Sequence, residues 1–351
     1  MQRGYVKLDN MILVGDVGAT KTLLEVGILR NGRWQPACGR RYAAADYPTF
    51  DGVLRAFLNE WQAQAGAENP LAQACFGVAG PTFDNRTQMT NVAWVVDGAA
   101  IAAEFGIPRV RVVNDFAAAA SGVGLLQDAD LVVMQTGEPV HAAPRLVIGA
   151  GSGLGVAYLI WTDTGYRVIA GEAGHAGFAP STVEQLELWR DLYARQGRVS
   201  AEHVVSGPGL VRIHEFIARS AREAVSATAA PHVGITPAEI TQAALAAGDP
   251  RCLRVLDLFI SCYGDVAGNH ALAILARGGV YIAGGIAPKI LPRLLAGGFL
   301  AAFNAKGAHA GEVRKIPVSV VTNERLALLG CAALAARSGH AGADGGAHRD
   351  A

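Results

Sequence analysis

Three short acidic segments hold the side chains best suited to chemistry. Asn114-Asp115 follows an apolar run, Val110 to Val113, at the point where a chain would leave a sheet. In open α/β sheets the crevice beyond the strand ends is the usual ligand site, and an Asp there can act as a general base. The competing reading makes it the N-cap of a helix beginning at Phe116. Gly171-Glu172-Ala173-Gly174-His175 sets a carboxylate and an imidazole three residues apart among small neighbours that leave room for a ligand. No Cys or second His follows at zinc-ligand spacing, so zinc is a poor fit and a salt-linked loop is the competing reading. Glu202 lies in Val199-Ser200-Ala201-Glu202, where Ser200 can cap a helix and Glu202 can sit near its start. Glu202 is ambiguous by itself.

Two glycine-rich turns accompany them: Gly15-Asp16-Val17-Gly18-Ala19-Thr20, and residues 149–155, Gly-Ala-Gly-Ser-Gly-Leu-Gly. The chain has no G-x-x-x-x-G-K-[ST], which excludes a P-loop. Gly149, Gly151 and Gly153 suggest a dinucleotide fingerprint, but that motif needs a helix after the glycines. Here Val-Ala-Tyr-Leu-Ile-Trp follows, which favours a strand. A strand–glycine turn–strand can instead bring backbone N–H groups to phosphate oxygens. Two such hairpins facing one another across a cleft suit the β- and γ-phosphates of a nucleotide. Asp16, at the first turn, can hold Mg²⁺ directly or through water.

The elements that must position these groups read as alternating strands and helices. Met11–Val14 and Leu23–Leu29 form strands, Asn31-Gly32 turns, and 34–42 makes a third strand. A helix follows, with Asp46 as its cap and Pro48 in its first turn. Phe50, Val53, Leu54, Phe57, Leu58 and Trp61 give it one apolar face. Leu71–Val78 reads as a strand, 80–91 as a turn-rich loop, Val110–Val113 as a strand and Phe116–Val123 as a helix. The second half repeats the theme. Leu146–Ile148 and Val156–Trp161 flank a glycine turn, Thr164-Gly165 turns, and Tyr166–Ala170 returns. Helices are expected near 183–196, 208–223, 236–247 and 249–276. A strand at 279–283 ends in Gly284-Gly285, helices flank 286–305, Ile316–Val321 is a last strand and 324–337 a last helix. Residues 1–10 and 339–351 read as polar or low-complexity tails. Two hairpins with glycine-rich tips, one opening each half, suggest two related α/β lobes.

Composition bounds the rest. The 351 residues suit about two domains, and 51% are hydrophobic, ample for buried cores. Lys+Arg and Asp+Glu both number 30, which argues against a nucleic-acid-coating protein. Five cysteines (38, 75, 252, 262 and 331) form no C-x-x-C pair, arguing against a disulfide framework. The beginning of the chain does not read as a signal peptide, because Asp9 and Asp16 interrupt any apolar core. The longest uncharged stretch, Leu146–Thr162, is too short and glycine-rich to span a membrane. A cytoplasmic location is expected.

Taken in order, GDVGAT (15–20), TN (90–91), VVNDF (112–116), GAGSGLG (149–155), GEAGH (171–175), VSAEHVVSGPG (199–209) and IAGGI (282–286) make the chain resemble the bacterial ATP-dependent glucokinases of the hexokinase type. The resemblance runs from about Met11 to about Ala336. It implies an α/β, two-lobed actin-like ATPase (ribonuclease H-like) fold, with a cleft between a small and a large domain. The small domain would take 11–125 plus 322–338 and the large domain 126–321.

The resemblance also implies phosphorylation of D-glucose at its 6-hydroxyl by MgATP, giving glucose 6-phosphate and ADP. Asp115 matches the family's catalytic base. Asn114, Glu172, His175 and Glu202 match residues that hydrogen-bond the other hydroxyls, with Asn91 near the sugar. Gly15, Asp16, Val17, Gly18, Ala19 and Thr20 match one phosphate loop, and Gly151, Ser152 and Gly153 the other. Gly284 and Gly285 match the adenosine loop, and Asp16 the Mg²⁺ position. Family members are commonly homodimers, and neither a nucleic-acid nor a membrane partner is implied. Only ten residues precede the first strand, so no DNA-binding helix-turn-helix is expected there.

Two departures from the family pattern stand out. Ala19 replaces a glycine; if position 19 needs a positive φ, alanine costs roughly 1–2 kcal/mol and weakens ATP binding. Ala173 replaces another glycine, and its methyl is expected to narrow the sugar pocket. Together they motivate an alternative, a catalytically weak or inactive sugar-binding homologue with a regulatory role. A chaperone-type or acetate-kinase-type ATPase is a third reading, which the sugar motifs disfavour.

Overall fold

The structure is a computed structural model that describes residues 11–65, 71–89, 92–224 and 234–338. It divides into two compact units. One comprises the described residues through Gln127 and those from Asn323; the other is Asp128–Thr322.

In the first unit, β1 (Ile12–Val17), β2 (Lys21–Arg30) and β3 (Arg33–Ala43) form the expected antiparallel meander. Helix α1 (Phe50–Ala65) crosses to β4 (Gln73–Val78), which runs parallel to β1. All six apolar positions of α1 are buried. Its cap is not Asp46: the Thr49 hydroxyl accepts the Gly52 N–H at 3.2 Å, while Asp46 lies in a preceding 3₁₀ turn, Ala44–Asp46. Helical backbone begins at Phe50, so Pro48 lies outside the first turn.

The segment read as a turn-rich loop holds β5 (Thr82–Phe83) and β6 (Arg86–Gln88). With β7 (Val95–Asp97) they form a small antiparallel sheet. Asp84 and Asn85 turn this hairpin with φ of 47° and 61°, the left-handed pair that a two-residue hairpin favours. Asp97 then caps α2 (Gly98–Phe105). The main sheet ends with β8 (Val110–Asn114), in the order β3-β2-β1-β4-β8, and α3 (Asp115–Gly122) follows at once. Asn85 closes the open side of β8, donating to the Val110 carbonyl and accepting the Val112 N–H.

Register places the carboxylates together at one edge. Asp16 pairs with Gly77, and Val78 with Asn114. Glycines set how closely α3 approaches. A Cβ at Gly77 would lie 2.9 Å from the Ala118 methyl. A Cβ at Gly122 or Gly330 would overlap backbone across the crossing of α3 with the helix Leu326–Ser338. That helix lies with α3 on the face of the sheet opposite α1 and packs there through Leu328, Cys331, Ala332 and Ala335.

The second unit repeats the meander. β9 (Leu131–Gln135) precedes β10 (Arg145–Ala150), β11 (Leu154–Thr162) and β12 (Gly165–Gly171). Then come α4 (Val183–Gln196), α5 (Ala201–Val204), α6 (Gly207–Ala224), α7 (Pro237–Leu245) and α8 (Pro250–Ala273). Strands β13 (Val280–Ala283) and β14 (Val318–Val321) complete a sheet ordered β12-β11-β10-β13-β14-β9. The four predicted helices lie within three residues of their expected bounds. β9 was not anticipated: it is a bulged antiparallel strand on the sheet's outer edge. The core beneath the sheet gathers Leu146, Ile148, Phe259, Tyr263 and Phe299.

All five cysteines are buried and free. Among the described residues no helix is long and apolar enough to cross a membrane.

Candidate active site

In the first unit the structure separates two roles that the sequence left together. Asn114 is the cap of α3: its Oδ1 accepts the N–H groups of Phe116 and Ala117 at 3.0 and 3.1 Å. Its Nδ2 donates to the Gly80 carbonyl at 3.1 Å. Both oxygen lone pairs are thereby used, and the Asn114 side chain also hydrogen-bonds the Asp115 carboxylate. Asp115 becomes the first helical residue, and its Oδ1 shares the Phe116 N–H at 2.7 Å. Burial is the main reason that its carboxyl is pushed up to about 6, and the nearby Asp16 charge adds to this. Asp16 is raised as well, through its own burial, with Lys21 opposing.

The β1–β2 turn is tied by Gly18 N–H to the Lys21 carbonyl, at 3.0 Å. Ala19 is not among the non-glycine residues with positive φ. The backbone there lies in ordinary L-residue space, so the strain expected of an alanine at this position is absent. Thr90 and Asn91 lie outside the described residues.

In the second unit the other predicted polar residues meet. His175 stands between two carboxylates, with Nδ1 3.4 Å from Glu172 Oε2 and Nε2 3.6 Å from Glu202 Oε1. Glu172 and His175 are exposed, whereas the Glu202 side chain keeps only 28% of its surface. Arg198 donates to the His175 carbonyl at 3.0 Å and steadies the loop from beneath. The loop thus sets the imidazole beside both carboxylates, and the Glu172 and His175 side chains remain open to solvent. Ala173 begins a 3₁₀ turn, Ala173–His175, and its side chain packs against the hydrophobic core. The expected narrowing of a pocket by this methyl is thus corrected.

The glycine turn of this unit lies beside the same cluster. Gly151 N–H bonds the Gly153 carbonyl, and Gly207 N–H bonds the Gly151 carbonyl, both at 2.8 Å. Leu154 N–H donates to Glu202 Oε2 at 2.8 Å. Ser152 is exposed at the tip. Gly284, at φ 83°, packs on the backbone of Ala150, where any Cβ would overlap; Gly285 faces open space. Sequence reasoning missed Tyr263. Its buried hydroxyl donates to the Ile148 carbonyl and accepts the Ala150 N–H, each at 3.2 Å, pinning the end of β10 that leads into the glycine turn. One tyrosine inside an apolar helix gives no local signal of that task.

Comparison with known proteins adds the decisive observation. A family model described as glucokinase matches residues 13–338.

The chain belongs to the glucokinase family.

It is 38% identical over 344 residues to the glucokinase of Nostoc punctiforme, covering 93% of this chain and 99% of that one. It is 36% identical over 321 residues to the glucokinase of Shigella sonnei, at 92% and 95% coverage. Among solved structures, a glucokinase from an Antarctic psychrotroph superimposes with a TM-score of 0.82 at 28% identity, covering 93% and 99%. The fold is the two-domain actin-like ATPase fold of this family, and the activity is that of an ATP-dependent glucokinase. The alternative of an inactive homologue rested on Ala19 and Ala173, and the structure removes both grounds.

Proposed function

We propose that Asp115 is the base that takes the proton of the glucose 6-hydroxyl, and that Glu172, His175 and Glu202 hydrogen-bond the sugar's other hydroxyls. The observation that carries this reading is the capping of α3 by Asn114, which leaves Asp115 with only the Phe116 N–H to accept from the helix start, through Oδ1. A carboxyl near 6 is ionised at neutral pH yet basic enough to accept a hydroxyl proton. Phosphoryl transfer then asks mainly for positioning and charge stabilisation. Carboxylates suit sugar recognition because they accept hydrogen bonds from hydroxyls. Asn114, its oxygen committed to the helix cap, would meet the sugar as a donor only.

Gly15–Thr20 and Gly151–Gly153 are assigned to the phosphates of ATP, and Gly284-Gly285 to its adenosine. Mg²⁺ suits Asp16. Among the described residues no group of three or more His, Cys, Asp or Glu forms a closed metal site. Mg²⁺ commonly binds through one or two carboxylates plus substrate phosphates, and Asp16 is a partly buried carboxylate at the first glycine turn. The ion would neutralise phosphate charge; Asp16 would orient it. A cytoplasmic location is consistent with the five free thiols.

The sugar assignment is tested by Glu172→Gln. Losing one charged acceptor costs about 1.5–3 kcal/mol, so KM for glucose rises roughly ten- to hundredfold with a much smaller change in kcat. An unaltered KM removes Glu172 from the sugar site.

A further inference from the structure

We propose that Glu202 is also a positioning residue for the glycine turn, so that sugar and nucleotide binding are coupled through one carboxylate. This rests on the sugar and phosphate assignments above. Its two oxygens face different partners: Oε1 faces His175 in the sugar cluster, and Oε2 accepts the Leu154 N–H at the end of the glycine turn. Gly153 makes the approach possible, because a Cβ there would lie 2.5 Å from Oε2.

The backbone carrying Glu202 is fixed. Ala201 N–H bonds the Ala176 carbonyl at 2.8 Å, and the Ser206 hydroxyl bonds the Glu202 carbonyl at 2.7 Å. Ser200 N–H and the Gln196 amide both meet His203 Nδ1, at 3.1 and 2.7 Å, bracing the same helical turn. The other end of the glycine turn is held from the same segment, through Gly207 N–H and the Gly151 carbonyl. Residues 202–207 therefore grip the turn on both sides, and only the Glu202 grip also reaches the sugar cluster. A sugar hydroxyl on Oε1 restricts the carboxylate to the rotamer in which Oε2 holds Leu154. Sugar thus favours the ordered turn, and by linkage nucleotide favours sugar to the same degree.

The test is the Kd of AMPPNP, by calorimetry, on the full chain with and without glucose. Sugar-free Glu202→Ala should bind AMPPNP about tenfold more weakly than the unsubstituted protein, the loss of one charge-assisted bond. Glu202→Gln, whose amide oxygen still accepts the Leu154 N–H, should recover most of that loss. Gly153→Ala, which pushes the carboxylate away, should behave like Glu202→Ala. Glucose should tighten AMPPNP binding in the unsubstituted protein and lose this effect in Glu202→Ala. Equal sugar-free affinities in the unsubstituted and Glu202→Ala proteins, with matching thermal melts, overturn the proposal and leave the sugar role standing. An unsubstituted protein that binds neither ligand overturns the underlying assignments instead.

Discussion

Asp115 lies at the start of a helix, partly buried, with a second carboxylate nearby, and its carboxyl is pushed up to about 6. Two consequences follow from that direction. Below pH 6 Asp115 carries the proton that a base must lack, so kcat/KM should fall about tenfold per pH unit on the acid side and level off above. A profile that stays flat to pH 5 removes Asp115 from the rate. Stability runs the opposite way. A carboxyl raised on folding contributes stability in full below its unfolded value, near 3.8, and loses it as pH rises through 6. Asp115→Asn stays neutral, so it should be more stable than the parent at pH 7.5, by at most about 3 kcal/mol. The gain should vanish below pH 4 in urea unfolding; equal stability at pH 7.5 contradicts a desolvated carboxylate. At this scale residue types were legible in the sequence, but the division of labour between Asn114 and Asp115 was not. Either can cap a helix, and only the fold shows which one does. Ala19 and Ala173 make the converse case. Their departure from glycine was plain, but its local consequence depended on a φ angle and on what a side chain packs against.

At the level of elements, small residues hold α3, and hence Asp115, against β4 and the helix Leu326–Ser338. Gly330 has no space for a methyl against the Ala118 carbonyl, and Gly122 none against Leu326. Gly330→Ala must separate the two helices, which costs about 1–3 kcal/mol as overpacking. It should lower the thermal midpoint and also kcat, through displacement of α3. An unshifted melt would show that the crossing is looser than the structure has it. The long periodic helices and both glycine-tipped hairpins were legible because apolar spacing and turn residues agree there. The strands β5–β7, β9 and helix α2 were not. The three small strands are only two or three residues long, and β9 is a bulged edge strand. Alanine-rich α2 offers a weak apolar stripe. The contact of α3 with a helix some two hundred residues later has no local trace at all.

Across the whole molecule, the two units share one plan. Each sheet begins with an antiparallel three-strand meander and extends through strands parallel to its first: β3-β2-β1-β4-β8 in one and β12-β11-β10-β13-β14 in the other. The second adds β9 antiparallel at its edge. The repeated glycine-tipped hairpin was the visible sign of this duplication. The motif order carried the family, which the match over residues 13–338 establishes. The most direct test of the account is glucose 6-phosphate formation from glucose and MgATP, in a coupled assay of the parent and Asp115→Asn. The parent should sustain turnover. In the variant kcat should drop by a factor on the order of 10²–10⁴, the usual contribution of a general base, with glucose affinity by calorimetry little changed. A variant that turns over like the parent would contradict Asp115 as the base.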